Sequence, residues 1–556
     1  MIKSPLQKAR AKYIPKLPKS LEENVKLIIG EASESIADKE AIKGMFPNTY
    51  GLPLVTFEKG KACESKSLNV GVVLSGGQAP GGHNVISGLF DALGKLNNRS
   101  KLFGFIGGPD GLLNNSFIEL DSAIVSGYRN TGGFDIIGSG RTKIEDEASY
   151  EKVIANCLKN NINALVIIGG DDSNTNACVL AEYFKEKKAG IQVIGCPKTI
   201  DGDLKNEFIE TSFGFDTACK VYSELIGNIQ RDANSAKKYW HFIKLMGRSA
   251  SHISLECALK TQPNIAIISE EIEKYKLTLN KIVGQIAEVV KKRANKGENF
   301  GTVLIPEGLV EFMPSIKKLI VELNDILAEN PEYYQIATSL EKREFITKLL
   351  SDESAKVYSS LPASFAKQLT LDRDPHGNVQ VSKIETEKLL IDMVADRLAK
   401  DKSFQGKFNA QNHFFGYEGR CAAPSNFDAG YCYSLGYTAA LLINSGKTGY
   451  MAFIKNTAES SDNWLAGGVP ITMMMNMEKR HGHMKPVIQK ALVDLKGKPF
   501  LMFRSKRKEW ADHTDYIYPG PIQYFGPTEV CDSPSETLLL EQEVTHNPIC
   551  LDENLV

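Results

Sequence analysis

The chain has 556 residues, 42% hydrophobic and 24% charged, with a formal net charge of -1. That is an ordinary globular composition, long enough for roughly two to four domains, and so even a charge balance excludes a global field for nucleic acid or an anionic membrane. The 10 cysteines, from Cys63 to Cys550, form no CxxC pair and no zinc spacing; they read as buried thiols rather than a disulfide framework or a metal cluster.

The chain opens on the basic stretch MIKSPLQKARAKYIPKLPKS, which lacks the apolar core of a signal peptide. No apolar run approaches the ~20 residues that cross a bilayer, so the expected location is the cytoplasm. Residues 1–67 read as mixed helical and turn-rich, without obvious chemistry. From residue 68, short runs rich in Val, Ile and Leu alternate with longer segments: LNVGVVLS (68–75), KLFGFIGG (101–108), ALVIIGG (164–170), IQVIGCP (191–197), HFIKLMG (241–247), NIAIISE (264–270) and TVLIPEG (302–308). Such runs are the signature of parallel strands buried on both faces. Segments 174–187 and 277–295 place apolar residues at helical spacing. Strand and helix in succession predict a doubly wound α/β architecture, whose ligands sit beyond the carboxyl ends of the strands.

Residues 310–405 change character. PSIKKLIVELNDILAEN and KIETEKLLIDMVADRLAKD predict a mostly helical insertion. Residues 406–460 return to glycine, aromatic and strand-like signals. Residues 485–556 begin with a predicted helix, VIQKALVDL, and end in an acidic, irregular tail. The expected division is an extension over 1–67, an α/β domain over 68–240, a second α/β domain over 241–460 that includes the insertion, and a segment over 461–556 packing back on the first domain.

Five motifs stand at strand ends. Ser75-Gly76-Gly77-Gln78-Ala79-Pro80-Gly81-Gly82-His83-Asn84 precedes the predicted helix VISGLFDAL. Its glycines let the backbone approach an anion, and the helix offers free N–H groups. It is neither a Walker A loop nor a GxGxxG, and the alternative reading is a turn that packs helix on strand. Gly169-Gly170-Asp171-Asp172-Ser173-Asn174 also opens a helix, with Ser173 and Asn174 suited to an N-cap. Carboxylates beside a phosphate-admitting glycine pair imply Mg²⁺, although both could be caps favoured by the helix dipole. In Pro197-Lys198-Thr199-Ile200-Asp201-Gly202-Asp203, Asp201 could accept a hydroxyl proton and Lys198 could neutralise a transferring phosphoryl group; alone, the stretch would also pass for a solvated turn. Lys244-Leu245-Met246-Gly247-Arg248-Ser249 supplies the planar fork of Arg248, and Glu307 in Ile305-Pro306-Glu307-Gly308 could hold sugar hydroxyls. In Gly416-Tyr417-Glu418-Gly419-Arg420, Tyr417 and Arg420 could clamp a second phosphate. Three other features read as ordinary structure: His481-Gly482-His483, which has no supporting ligand spacing, Met473-Met474-Met475 as core packing, and Lys291-Lys292-Arg293 as a solvated helix face.

Taken in order, the motifs resemble the phosphofructokinase family over residues 68–460, most closely its pyrophosphate-dependent long form. The resemblance implies two Rossmann-like parallel-sheet domains with a helical insertion and terminal extensions. It implies Mg²⁺-dependent, reversible phosphoryl transfer from pyrophosphate to the 1-hydroxyl of fructose 6-phosphate. Carried over by position, it gives Gly77, Gly170 and Arg141 to the donor and Asp171 to Mg²⁺. Thr199, Ile200 and Asp201 go to the sugar phosphate, with Asp201 as proton acceptor. Met246, Gly247, Arg248, Glu307, Tyr417, Glu418, Gly419 and Arg420 join them. Lys238 and Tyr239 resemble residues that a partner subunit lends to the sugar-phosphate site, which implies a homodimer or a dimer-based oligomer. ATP-dependent relatives carry glycine where Asp172 stands and a small residue where Lys198 stands. A carboxylate at 172 would fill the α-phosphate's space and repel it, by about 4 kcal/mol at ~4 Å and an effective dielectric near 20. An ATP donor and a non-catalytic regulatory subunit remain the alternatives. A lipid or NAD kinase sharing only a GGDG-like loop leaves TIDGD, MGR and PEG unexplained.

Overall fold

The computed structural model describes residues 4–60, 65–370, 383–480 and 483–521. Its strands are β1 Val25–Ala32, β2 Pro53–Lys59, β3 Asn69–Leu74, β4 Lys101–Phe105, β5 Phe117–Glu119, β6 Ala164–Gly169, β7 Gln192–Pro197, β8 Trp240–Leu245, β9 Ile265–Ala266, β10 Gly301–Pro306, β11 Ala410–Phe415, β12 Tyr450–Lys455, β13 Leu465–Pro470, β14 Met475–Arg480 and β15 His483–Ile488. A nine-stranded sheet runs β1-β2-β13-β12-β7-β6-β3-β4-β5, and a four-stranded sheet runs β11-β8-β10-β9. The centre of the first sheet, β12 to β4, is parallel and its margins are antiparallel. The second sheet is parallel throughout.

The Val, Ile and Leu runs are continuous because each strand feeds two cores. On one face Val72, Val166, Ile194, Ile243, Leu245 and Leu304 join a single apolar cluster that the two sheets share. The odd-numbered partners Val73, Leu165, Ile167 and Val193 point the other way, into a second cluster under the first sheet. In the second sheet Trp240, Phe242, Val303 and Ile305 face the helical insertion, packing with Ile316, Leu319 and Leu390. Alternation of side chains along a strand produces this division.

One charge interrupts it. Lys244, in β8, points toward the insertion, where its Nζ donates to the Ile384 carbonyl at 2.8 Å and lies 3.3 Å from Glu387. Both side chains are buried, so breaking the pair strands a charge in an apolar core. Glu387→Ala is expected to lose about 3–5 kcal/mol of stability in urea unfolding, and a Lys244→Met, Glu387→Leu double variant to lose far less. A Glu387→Ala protein as stable as the wild type would show that solvent already reaches the pair.

Several expectations need correction. Residues 1–67, expected as helical and turn-rich, supply β1 and β2 to the edge of the large sheet. Buried Val55 and Phe57 alternate with half-buried Leu54 and Thr56, a strand pattern too short to stand out in the sequence. NIAIISE yields only the two-residue β9 before the helix Ser269–Lys274. The predicted helix VIQKALVDL is absent; Val487 and Ile488 close β15 and an irregular segment follows. Residues 426–444, expected as strand-like, form a helix from Asn426 to Asn444 that is buried almost all round and so carries no amphipathic period. Arg293, expected on a solvated face, is fully buried, donates to the Phe300 and His513 carbonyls, and sits 3.1 Å from Glu298. Met474 and Met475 are buried, in keeping with core packing. His481 and Gly482 lie outside the described residues. β12, grouped from sequence with the second α/β unit, pairs with β7 in the large sheet, whereas the helix Lys498–Asp512 packs beside the second sheet. Among the described residues, no helix is long and apolar enough to cross a membrane.

Candidate active site

Register brings the motifs together. β3 pairs with β6 and β6 with β7, placing Leu74 opposite Ile168 and Gly169 opposite Pro197. The loops at Gly76, Gly170 and Lys198 therefore leave the sheet side by side. In the second sheet Leu245 lies opposite both Pro306 and Phe415, so the loops at Met246, Glu307 and Gly416 emerge together as well. The two sets of loops meet at Asp201, whose Oδ2 accepts the Arg248 N–H at 3.3 Å and whose Oδ1 lies 3.8 Å from Arg420 Nη2.

On the side of the first sheet, Gly76 and Gly81 take positive φ, which carries the chain from β3 into the helix Gly82–Leu96. Any side chain at Gly77 would run into the Arg420 guanidinium, with Arg141 just behind it. Lys198 approaches the same loop and is only 6% exposed. Burial and the Arg420 guanidinium pull its pKa down to about 7, helped by Arg141 and opposed by Asp201 and Asp171. Three cations thus converge on one stretch of glycine backbone, an arrangement suited to a polyanion.

The second loop departs from expectation in its capping. The N-cap of the helix Asp171–Glu186 is Gly170, not Ser173 or Asn174. Ser173 instead meets Ser75 Oγ at 2.8 Å, and the Asn174 amide donates to the Gly169, Gly170 and Cys196 carbonyls. These bonds clamp the loops after β3 and β6 to each other and to the end of β7, and leave Asp171 and Asp172 in the first helical turn.

Asp201 Oδ1 is shut off from solvent and accepts no hydrogen bond among the described residues. Its backbone N–H is held by Thr199 Oγ1 at 3.0 Å, and Ile200 is buried, so its side chain offers nothing to a ligand. Glu307 accepts the Gly247 N–H at 3.0 Å; burial raises its pKa and that N–H opposes the rise. Gly308 lies so close to the Arg248 carbonyl that no side chain fits between these loops. Arg420 donates to Met246 Sδ at 3.0 Å. It spans the two sets of loops rather than pairing with Tyr417, which is 67% exposed. Glu418 accepts the Gly416 N–H at 2.7 Å, and Gly419 packs on the Tyr222 ring, so both shape the loop.

Lys238 and Tyr239 are not brought to this site. They precede β8, whereas Met246, Gly247 and Arg248 follow it, and a strand of this length spans roughly 20 Å. One residue that the motifs missed does reach the site: Lys490 Nζ lies 3.4 Å from Asp171 Oδ2 and 3.9 Å from Asp203 Oδ2. Asp203 is buried, and burial with the charge of Asp201 lifts its pKa to about 6 against the pull of Lys490.

No group of three or more His, Cys, Asp or Glu side chains fit to hold a metal ion occurs among the described residues. A cation, the Lys490 ammonium, already stands beside Asp171. A Mg²⁺ ion at Asp171 would need its remaining ligands from water and phosphate oxygens.

The family model described as Phosphofructokinase matches residues 69–443, across both sheets. The chain is 61% identical over 546 residues to pyrophosphate–fructose 6-phosphate 1-phosphotransferase of Porphyromonas gingivalis, covering 98% of this chain and 100% of that protein. It is 54% identical over 554 residues to the protein of the same name from Treponema pallidum, covering 97% of each. Among solved structures, the pyrophosphate-dependent phosphofructokinase of Nitrosospira multiformis aligns with a TM-score of 0.53 at 16% identity, over 81% of this chain and 93% of that one, a likeness of fold. With fold, motif order and sequence identity in agreement, the chain belongs to the phosphofructokinase family.

Proposed function

We propose that the chain catalyses reversible transfer of a phosphoryl group from pyrophosphate to the 1-hydroxyl of fructose 6-phosphate, giving fructose 1,6-bisphosphate and phosphate. The observation that carries this reading is the convergence of Lys198, Arg420 and Arg141 on the Gly76–Gly77 backbone, with the buried, unsatisfied Asp201 Oδ1 beside Arg420. The cations neutralise the donor's oxygens. Asp201 takes the proton of the attacking 1-hydroxyl and, in the reverse direction, returns it to the leaving 1-oxygen of the sugar. The Arg248 N–H holds the carboxylate while Glu307, fixed by Gly247, faces the same loops. Mg²⁺ held at Asp171 would supply further charge neutralisation on the donor. A phosphoanhydride donor leaves the two directions close in energy, which suits service in both glycolysis and gluconeogenesis in the cytoplasm.

Asp172 supports pyrophosphate over ATP: it stands exposed in the first turn of the helix from Asp171, where a longer donor would have to pass. The regulatory-subunit reading is weakened by the joint presence of Asp171, Lys198, Asp201, Arg248 and Glu307. The distance of Lys238 and Tyr239 from their own chain's site suits a homodimer that exchanges them. The test is a coupled assay of the purified chain with fructose 6-phosphate and Mg²⁺. Turnover is expected with pyrophosphate and not with ATP; turnover with ATP alone would overturn the donor assignment, and none with either would favour the regulatory subunit.

A further inference from the structure

Lys490 stands in a stretch that no motif marks, yet its backbone is fixed on both sides. The Gln489 N–H donates to the Met474 carbonyl at 3.0 Å, the Ala491 N–H to the Asp203 carbonyl at 2.7 Å, and the Val493 N–H to Glu270 Oε1 at 3.0 Å. His252 Nε2 lies 2.9 Å from the Ala491 carbonyl. The segment is thereby threaded between the loop after β7 and the helices beside the second sheet. Its position aims one side chain into the gap between the two sets of loops.

The contacts of that side chain are uneven. Nζ donates to Ser249 Oγ at 2.9 Å, a full hydrogen bond to the loop after β8. It lies 3.4 Å from Asp171 Oδ2 and 3.9 Å from Asp203 Oδ2, beyond the ~2.7–2.9 Å of a charge-assisted bond. An ammonium has three N–H donors. One is committed to Ser249; the rest are held near carboxylates without being taken up by them. The side chain is 35% exposed, so a ligand in the gap can reach it. A mere counter-ion for Asp171 and Asp203 would need neither the bond to Ser249 nor the rigid backbone.

We propose that Lys490 is a donor-site residue that binds pyrophosphate oxygens directly while its bond to Ser249 ties the loop after β8 to the bound donor. The proposal rests on the phosphoryl-transfer reading above. Asp171 would hold a divalent cation that adds charge neutralisation on the donor, and the Lys490 N–H groups not committed to Ser249 would face that donor. Lys198 and Arg420 hold the donor against the glycine loop, and Lys490 grips it from the C-terminal segment.

The test compares wild type, Lys490→Met and Lys490→Arg in two measurements: steady-state kinetics with pyrophosphate and fructose 6-phosphate, and calorimetric binding of methylenediphosphonate with Mg²⁺. Wild-type turnover with pyrophosphate checks the underlying function separately. In Lys490→Met the KM for pyrophosphate and the Kd for methylenediphosphonate should both rise about tenfold or more, the loss of one charged hydrogen bond. The KM for fructose 6-phosphate should stay within about twofold, and Lys490→Arg should recover most of the donor affinity. An unchanged donor KM and analogue Kd in the methionine variant would overturn the proposal, as would equal rises in both KM values. Lys490→Gln, which removes the charge but keeps a shorter polar side chain, is read in the same way if the methionine variant does not fold. Unfolding of both would make Lys490 a structural counter-ion and also overturn the proposal.

Discussion

Asp201→Asn should lower kcat by roughly 10²–10⁴, the usual contribution of a positioned general base, with a modest change in the KM for fructose 6-phosphate. The substitution is nearly isosteric. The amide oxygen can still accept the Arg248 N–H that Asp201 Oδ2 accepts at 3.3 Å, so the loop after β8 has no reason to move. What disappears is basicity at Oδ1, an atom that is buried and accepts no hydrogen bond among the described residues. A second effect runs in the same direction. The Asp201 charge supports the protonated form of Lys198 against burial and two guanidiniums. Without it Lys198 is more readily neutral, and the donor loses positive charge as well. Wild-type kcat in Asp201→Asn would place the base elsewhere.

Lys198→Met should cost about 10²–10³ in kcat/KM for pyrophosphate, the loss of one preorganised charge, and yet yield a more stable protein. Lys198 is held at a pKa of about 7, far below the ordinary 10.5. The folded chain therefore opposes its charged form by roughly 4–5 kcal/mol. The sign follows from proton binding. Between about pH 7 and 10.5 the unfolded chain keeps a proton that the folded chain has released, so wild-type stability rises with pH through that window. Below about 7 the penalty is complete; above 10.5 it is gone. The methionine variant lacks this slope. Its advantage in denaturant unfolding should be largest near neutrality and narrow by about 1.4 kcal/mol per pH unit as pH rises. A variant less stable than wild type at pH 7 would mean that the cation cluster is compensated in the folded chain. Loss of activity with a gain in stability is the pattern of a residue kept for its chemistry.

The sequence made the strand ends legible because each buried parallel strand advertises both faces at once. LNVGVVLS, ALVIIGG and IQVIGCP need no tertiary knowledge to be read, and the loops that follow them line the candidate site. The second sheet was legible at β8 and β10 for the same reason. What escaped depends on partners far away along the chain. Arg293 looks like the third charge of a solvated run; its burial is set by carbonyls of Phe300 and His513. The apolar positions of VIQKALVDL suit a helix, but Ala491 and Val493 answer to Asp203 and Glu270, more than two hundred residues upstream. Such bonds override local propensity. Lys490 was invisible for that reason: it stands between Gln489 and Ala491 with nothing local to mark it. Arg420 was found, but its reach across to Gly77 was not, because that contact joins loops of different sheets.

The apolar cluster that joins the two sheets sets a rule for recombination among relatives. Val72, Val166 and Ile194 on one side fill the same interior as Ile243, Leu245 and Leu304 on the other. A chimera that exchanges the four-stranded sheet for a distant relative's would carry a foreign half of this interior, and its misfit would register as lost stability. Crossovers that keep both halves from one parent and exchange only the loops beyond the strand ends avoid that mismatch. Acceptor preference can therefore drift by loop exchange while the paired sheets are inherited as a unit.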